Sequence, residues 1–212
     1  ISLIDDLDDS AKEMNAVNWV VNSDGKLKGY NTDWIGFKDS LSYYGKEITN
    51  QECLILGAGG SAKAICMALI KENANNIYIH NRTEKNLINF INNFKHIYKD
   101  IQIIDSNKLN NKDFINTLDL IINTTSVGMQ GGPDPNNSPI NTDNINKRAL
   151  CYDLVYSPEI TPFIEQAKHN NVETIGGLTM LVFQAIKGFE LVTGEKAPVL
   201  KMLEAVGITK NN

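Results

Sequence analysis

The sequence has no apolar run approaching the roughly 20 residues that a membrane-spanning helix needs. Its first residues, Ile1-Ser2-Leu3-Ile4-Asp5-Asp6, hold no basic stretch ahead of an apolar one. Neither a bilayer span nor an export signal is expected, and a cytoplasmic location is the default reading. Cysteine is scarce: Cys53, Cys66 and Cys151 are odd in number, far apart, and each set in an apolar run. That pattern excludes a disulfide framework and a zinc site and reads as buried thiols in a reducing compartment. The histidines His80, His96 and His169 fall at a strand end and in polar helices, so none is expected as a base or ligand, and no metal is expected. Positive charge is also short, 20 Lys+Arg against 25 Asp+Glu for a formal charge of −5, which argues against a nucleic-acid-gripping surface. A phosphate bound here must be met by local charge. There is no internal repeat.

What is present suits a packed domain: 212 residues, 42% apolar and 21% charged, enough to bury a core without disulfides. Residues 1–32 carry a short acidic helix-prone stretch from Leu7 to Met14. Two strand-like segments follow, joined at Ser23-Asp24-Gly25, a hairpin signal. Two strands and a helical fragment cannot bury a core alone, so this segment reads as the remnant of a unit whose beginning lies before Ile1. From Asp33 to Tyr44, apolar residues at helical spacing stop at Gly45. The chain then alternates. Apolar strands at Cys53–Leu56, Asn76–His80, Ile101–Ile104, Leu118–Asn123 and Leu150–Val155 are separated by helical stretches at Ser61–Glu72, Thr83–Phe94 and Thr161–His169. The Asn-rich stretch 107–116 reads as loop. Continuous apolar strands between helices predict an α/β fold with a doubly wound parallel sheet. The expected organisation is 1–32 as substrate-domain remnant, 33–176 as dinucleotide domain, and 177–212 as C-terminal helices returning to the substrate domain.

Gly57-Ala58-Gly59-Gly60-Ser61-Ala62 fits G-x-G-x-x-A and lies directly after a strand and at the start of a helix. Gly57 permits the turn, Gly59 lets backbone approach a pyrophosphate, and the helix presents free N–H groups to the phosphates. Where NAD-binding sites place an acid to take the ribose hydroxyls, this chain has Asn81-Arg82-Thr83. Arg82 offers a planar charged fork suited to a 2′-phosphate, Thr83 a hydroxyl and Lys85 a second cation. NADP is the expected cofactor. Thr83 read alone is an N-cap for the following helix.

Further segments, taken with these, carry a resemblance: Asn15-Ala16-Val17-Asn18, Gly29-Tyr30-Asn31-Thr32-Asp33, Asn123-Thr124-Thr125-Ser126-Val127-Gly128-Met129, Tyr152-Asp153-Leu154-Val155-Tyr156 with Thr161-Pro162, and Gly177-Leu178-Thr179-Met180-Leu181-Val182-Phe183-Gln184-Ala185. In order and spacing they resemble the shikimate dehydrogenase family over essentially the whole chain. The resemblance implies a Rossmann-type NADP enzyme interconverting 3-dehydroshikimate and shikimate in aromatic amino-acid (chorismate) biosynthesis. It implies Asp33 as the catalytic carboxylate working with a lysine, and Asn18, Tyr156 and Gln184 as substrate-binding residues. It implies Thr124, Thr125 and Ser126 beside the dinucleotide, with Leu154 and Gly177 lining the nicotinamide. The lysine of the family falls just upstream of Ile1, so the chain is expected to be a fragment lacking it; Lys12 is too close to Asn18 to replace it. Trp34 stands where many relatives have a small residue.

A polar small-molecule substrate suits such hydrogen-bonding side chains, and an alkoxide developing beside Asp33 needs a cation. Asn31-Thr32-Asp33 read alone is an N-cap. The other readings are a quinate/shikimate dehydrogenase of broader substrate or NAD use, and a non-catalytic NADP-binding regulatory protein. A glutamyl-tRNA reductase ranks below these, for want of a nucleophilic cysteine and an RNA-binding extension. The expected partners are small molecules, with the protein a monomer or homodimer.

Overall fold

The computed structural model describes residues 1–98 and 100–209. In chain order the first elements are β1 (Asp6–Leu7), α1 (Asp9–Met14), β2 (Trp19–Ser23), β3 (Lys26–Tyr30) and α2 (Asp33–Tyr43). Then come β4 (Glu52–Leu56), α3 (Gly60–Lys71), β5 (Asn76–His80), α4 (Glu84–Phe94), β6 (Ile101–Ile103), α5 (Ser106–Leu109), α6 (Lys112–Ile115) and β7 (Leu120–Asn123). The last are β8 (Leu150–Asp153), α7 (Pro162–His169), β9 (Glu173–Gly176), α8 (Leu178–Thr193) and α9 (Val199–Glu204). They form two compact units, residues 1–47 with 179–212, and residues 48–178.

In the first unit β2 and β3 form an antiparallel hairpin, and β1 pairs parallel to β3. The expected Asp-Gly turn is there: Asp24 and Gly25 both have positive φ, 53° and 84°, as the favoured two-residue hairpin turn requires. The C-terminal helix α8 packs back within this same unit. Gly188 lies against the Trp19 indole, where an added Cβ would come within 2.7 Å of the ring, so only glycine lets the helix sit that close. Trp34 on α2 directs its indole N–H to Ser10 Oγ on α1, 3.2 Å away.

The second unit is a parallel sheet with strand order β6-β5-β4-β7-β8-β9, every pairing parallel. This is the doubly wound order, whose direction reverses between β4 and β7, and such a reversal opens a crevice at the strands' carboxyl ends. The strands are buried on both faces: Leu54, Ile55, Ile121, Ile122 and Cys151 have no exposed surface, and Leu54, Ile121 and Cys151 share one core cluster with Phe163 and Ala167 of α7. Each fully buried side chain of this kind contributes roughly 1.5–3 kcal/mol of hydrophobic stabilisation, set against backbone ordering.

Two features differ from the sequence expectation. Edge strand β9 is one, because Glu173-Thr174-Ile175-Gly176 has one buried residue and no apolar run to announce a strand. The other is the Asn-rich stretch, which holds two single-turn helices, each fixed by a cap: Asp105 accepts from the Lys108 N–H and Asn111 from the Phe114 N–H.

Candidate functional site

Four polar side chains meet within the first unit. Asn18, just before β2, sends its Nδ2 to Asp33 Oδ1 at 2.7 Å, to Thr32 Oγ1 at 3.1 Å and to Gln184 Oε1 at 3.4 Å. Its Oδ1 accepts the Thr32 backbone N–H at 2.8 Å. Thr32 Oγ1 in turn donates to Gln184 Oε1 at 3.2 Å. The hairpin brings Asn18 opposite the end of β3, since the Asn18 N–H bonds the Tyr30 carbonyl. Gln184 arrives from α8 through a close crossing with α2, where a Cβ on Gly36 would stand 2.7 Å from the Gln184 nitrogen. Asn31 anchors the turn, accepting the Asp33 N–H and donating to the Ala16 carbonyl.

Thr32 occupies the N-cap position of α2 but makes no side-chain capping bond. The N-cap reading of Asn31-Thr32-Asp33 therefore gives way to an inward-turned hydroxyl serving the cluster. Thr32 itself carries no sequence signal for this role, since a Thr before a helix normally signals a cap. Burial pushes the Asp33 carboxyl above its usual range, and the Asn18 hydrogen bond works against that rise. A carboxyl raised in this way keeps a proton more readily than an exposed one, which suits a group that exchanges a proton with a ligand. Lys12 is occupied elsewhere, 3.2 Å from Asp6 Oδ1 on an exposed face.

In the second unit Gly57 turns the chain out of β4 with φ of 114°, and a Cβ there would lie 2.5 Å from Thr124 Oγ1. Nothing lies within 4 Å of where a Cβ on Gly59 or Gly60 would be. Two of these glycines therefore face an open cradle rather than protein. The N-terminus of α3 begins there, and its free N–H groups suit a pyrophosphate. On one side a cleft of about 400 Å³ is lined by Gly57, Asn81, Arg82, Thr125 and Ser126. On the other, a cleft of about 370 Å³ is lined by Ser61, Thr124, Thr125, Ser126, Leu154 and Tyr156. Thr83 caps α4 by position without a side-chain cap bond, contrary to the capping reading, and Asn81 Nδ2 bonds its carbonyl instead. Lys85 lies exposed on the first turn of α4 and lines neither cleft. Ala58 belongs to the glycine turn. Gly177 packs so tightly on the Leu154 carbonyl that a Cβ would come within 2.1 Å of its oxygen.

Asn123 and Asp153, partners across the β7–β8 ladder, are a further pair that the sequence reading misses. Their side chains join 30 residues apart in sequence, at 2.9 Å, beneath the second cleft. No sequence signal marks such a pair, because it arises only from the strand register.

A glycine turn opening a helix at the sheet's switch point, with no acid at the end of the second strand, defines a dinucleotide-binding protein of the doubly wound class. Residues 41–181 match the family described as shikimate / quinate 5-dehydrogenase, and residues 177–206 match the shikimate 5′-dehydrogenase C-terminal domain. The chain belongs to the shikimate/quinate 5-dehydrogenase family. It is 40% identical over 201 residues to the shikimate dehydrogenase (NADP(+)) of Caldanaerobacter subterraneus subsp. tengcongensis, covering 92% of this chain and 68% of that protein. To the enzyme of the same name from Nitrosopumilus maritimus it is 39% identical over 205 residues, covering 96% and 72%. Among solved structures, shikimate 5-dehydrogenase of Thermus thermophilus in complex with NADP(H) and shikimate is 29% identical with a TM-score of 0.82, covering 96% of this chain and 72% of that one.

Proposed function

We propose that the protein is an NADP-dependent shikimate dehydrogenase, reducing 3-dehydroshikimate to shikimate. Support comes first from the relationship, 40% identity along 92% of the chain. The observation in the fold that carries the reading is the Asn18–Thr32–Asp33–Gln184 cluster, a set of hydroxyl, amide and carboxylate groups matched to a polyhydroxylated acid rather than an apolar ligand.

The second unit is the cofactor unit. Its open glycine cradle suits the pyrophosphate, and Asn81 with Arg82 suits a 2′-phosphate, because a carboxylate at that strand end would repel one. Thr83 adds a hydroxyl next to Arg82, and Lys85, exposed on the first turn of α4, a second cation outside the cleft lining. Thr124, Thr125 and Ser126 form one wall of the nicotinamide side, Leu154 the other, and Gly177 holds the Leu154 carbonyl in place. When bound, NADPH supplies the hydride.

Asp33 holds the proton that the reduced carbonyl oxygen takes up. Asn18 fixes Asp33 Oδ1 and so leaves the other carboxylate oxygen to face the substrate oxygen. An ionised Asp33 alone opposes a developing alkoxide, so a cation must share the site, and the family resemblance implies a lysine for that place. Gln184 and Asn18 hold substrate hydroxyls, and the family resemblance implies Tyr156, 54% exposed at the rim of the 370 Å³ cleft, as a further substrate-binding residue. The protein works in chorismate biosynthesis in the cytoplasm, as a monomer or homodimer.

The test is kinetic. The full-length protein is assayed with shikimate and quinate against NADP+ and NAD+, with shikimate and NADP+ expected to give the highest kcat/KM. Hydride transfer under no pairing overturns the enzyme reading, and preference for quinate or NAD+ overturns the specificity.

A further inference from the structure

The two walls of the 370 Å³ cleft come from separate loops, one leaving β7 and one leaving β8, joined at their base by the bond of the Leu154 N–H to the Asn123 carbonyl at 2.9 Å and diverging beyond it. Something must fix their separation. Beneath them lie three polar side chains with almost no exposed surface, Asn123, Asp153 and Thr161. Asp153 Oδ1 accepts from Asn123 Nδ2 at 2.9 Å and from the Val155 N–H at 3.0 Å. Its Oδ2 accepts from Thr161 Oγ1 at 2.6 Å. Asn123 spends its remaining groups on the first loop, accepting from the Thr125 N–H and hydroxyl at 3.0 and 2.7 Å and donating to the Val127 carbonyl at 3.2 Å. Thr161 completes the set by capping α7, its oxygen accepting the Ile164 N–H.

We propose that Asp153 is a positioning residue for the cofactor: through Asn123 it holds the Thr124–Val127 wall, and through Val155 and Thr161 it holds the opposite Leu154–Tyr156 wall, so that one carboxylate sets the width of the cleft. An apolar core at this depth serves stability better than a buried carboxylate, since burying a charge costs free energy that hydrogen bonds only partly return. The carboxylate's three bonds run to both loops rather than within one strand pair, which is the arrangement expected of a spacer. Burial pushes its carboxyl up to about 6, so the group sits on the edge of neutrality and depends on its donors to stay charged. Asn123 is then the relay to one wall and Thr161 the clamp on the other.

The inference rests on the cofactor reading above, and its test separates the two. Thr161→Val removes the hydroxyl on Asp153 Oδ2 at near-constant volume, and Thr161→Ser keeps it. NADP+ binding is measured directly by isothermal titration calorimetry at 25 °C, alongside KM for NADP+, kcat and the melting temperature. Thr161→Val is expected to raise the Kd and KM for NADP+ about tenfold, the effect of one lost buried hydrogen bond, with Thr161→Ser within about twofold of wild type. A lower melting temperature with unchanged Kd and KM makes the network merely structural and overturns the proposal, as does a Thr161→Ser protein as impaired as Thr161→Val. Should Thr161→Val not fold, Asp153→Asn replaces it, turning Oδ2 into an N–H donor against Thr161; an unchanged NADP+ Kd there overturns the proposal. Wild-type protein that binds NADP+ in a Thr161-dependent way but never oxidises shikimate leaves this inference standing and defeats the functional reading instead.

Discussion

Gly36 on α2 meets Gln184 on α8 backbone to side: a Cβ on Gly36 would lie 2.7 Å from the Gln184 nitrogen and 2.8 Å from its Cβ. The crossing carries Gln184 to Thr32 and Asn18, so helix packing and substrate recognition share one contact. Gly36→Ala gains helix propensity of about 0.5–1 kcal/mol. Overpacking against backbone costs about 1–3 kcal/mol, and that effect wins. Thermal melting should show net loss of stability, and KM for shikimate should rise more than KM for NADP+.

Removing the Asp33 carboxylate separates chemistry from folding. Asp33→Asn should lower kcat by about 10²–10⁴-fold, the range of a lost general acid–base group, with NADP+ affinity unchanged. Because burial raises this carboxyl, its contribution to stability is present below the unfolded value of 3.8 and is lost as pH rises through the folded one. The variant should therefore be no less stable than wild type at pH 7, measured by denaturant titration.

The glycine turn divides into a glycine that the fold needs and glycines that only a ligand needs. Gly57→Ala places a Cβ 2.5 Å from Thr124 Oγ1 at a φ of 114°, and should cost about 1–3 kcal/mol of stability. Gly59→Ala meets no protein atom within 4 Å and should melt like wild type, while its NADP+ affinity falls at least tenfold. Equal losses of stability in the two variants would count against the cradle.

Arg82 bears on the choice of cofactor. Arg82→Ala should weaken NADP+ by about ten- to hundredfold, the worth of a charge-assisted bond of roughly 1.5–3 kcal/mol. NAD+, which lacks the 2′-phosphate, should change by less than threefold. Parallel losses for both dinucleotides would place Arg82 elsewhere on the cofactor.

Asp153 should leave a mark on the pH dependence of stability. Its carboxyl rises from 3.8 to about 6, so the protein gains from its protonation below pH 4 and loses that gain between about pH 4 and 6. At 1.36 kcal/mol per pKa unit the gain is on the order of 3 kcal/mol. Asp153→Asn should flatten the denaturant midpoint across that window, and an unchanged slope would mean that other carboxyls dominate it.

The alternation of apolar strands and helices was readable because strands buried on both faces must be apolar throughout, as Cys53–Leu56 and Leu120–Ile122 are. The glycine turn was readable because its constraint is local. Strand β9 escaped because an edge strand needs burial on one side only, and α5 and α6 because a cap, not a period, makes a single turn. Asn18, Asp33, Tyr156 and Gln184 came from family resemblance. Thr32, Asn123 and Thr161 could not come from the sequence in these roles, since each depends on a partner brought near by tertiary packing.

The chain also sorts its own reporters. Its two tryptophans, Trp19 and Trp34, belong to the unit of residues 1–47 and 179–212. Its three thiols, Cys53, Cys66 and Cys151, are all buried in residues 48–178, where desolvation holds them protonated, Cys151 at about 12. Indole emission therefore follows the melting of one unit and thiol labelling the opening of the other. The order in which the two units come apart can be timed in the natural protein, with no label engineered in.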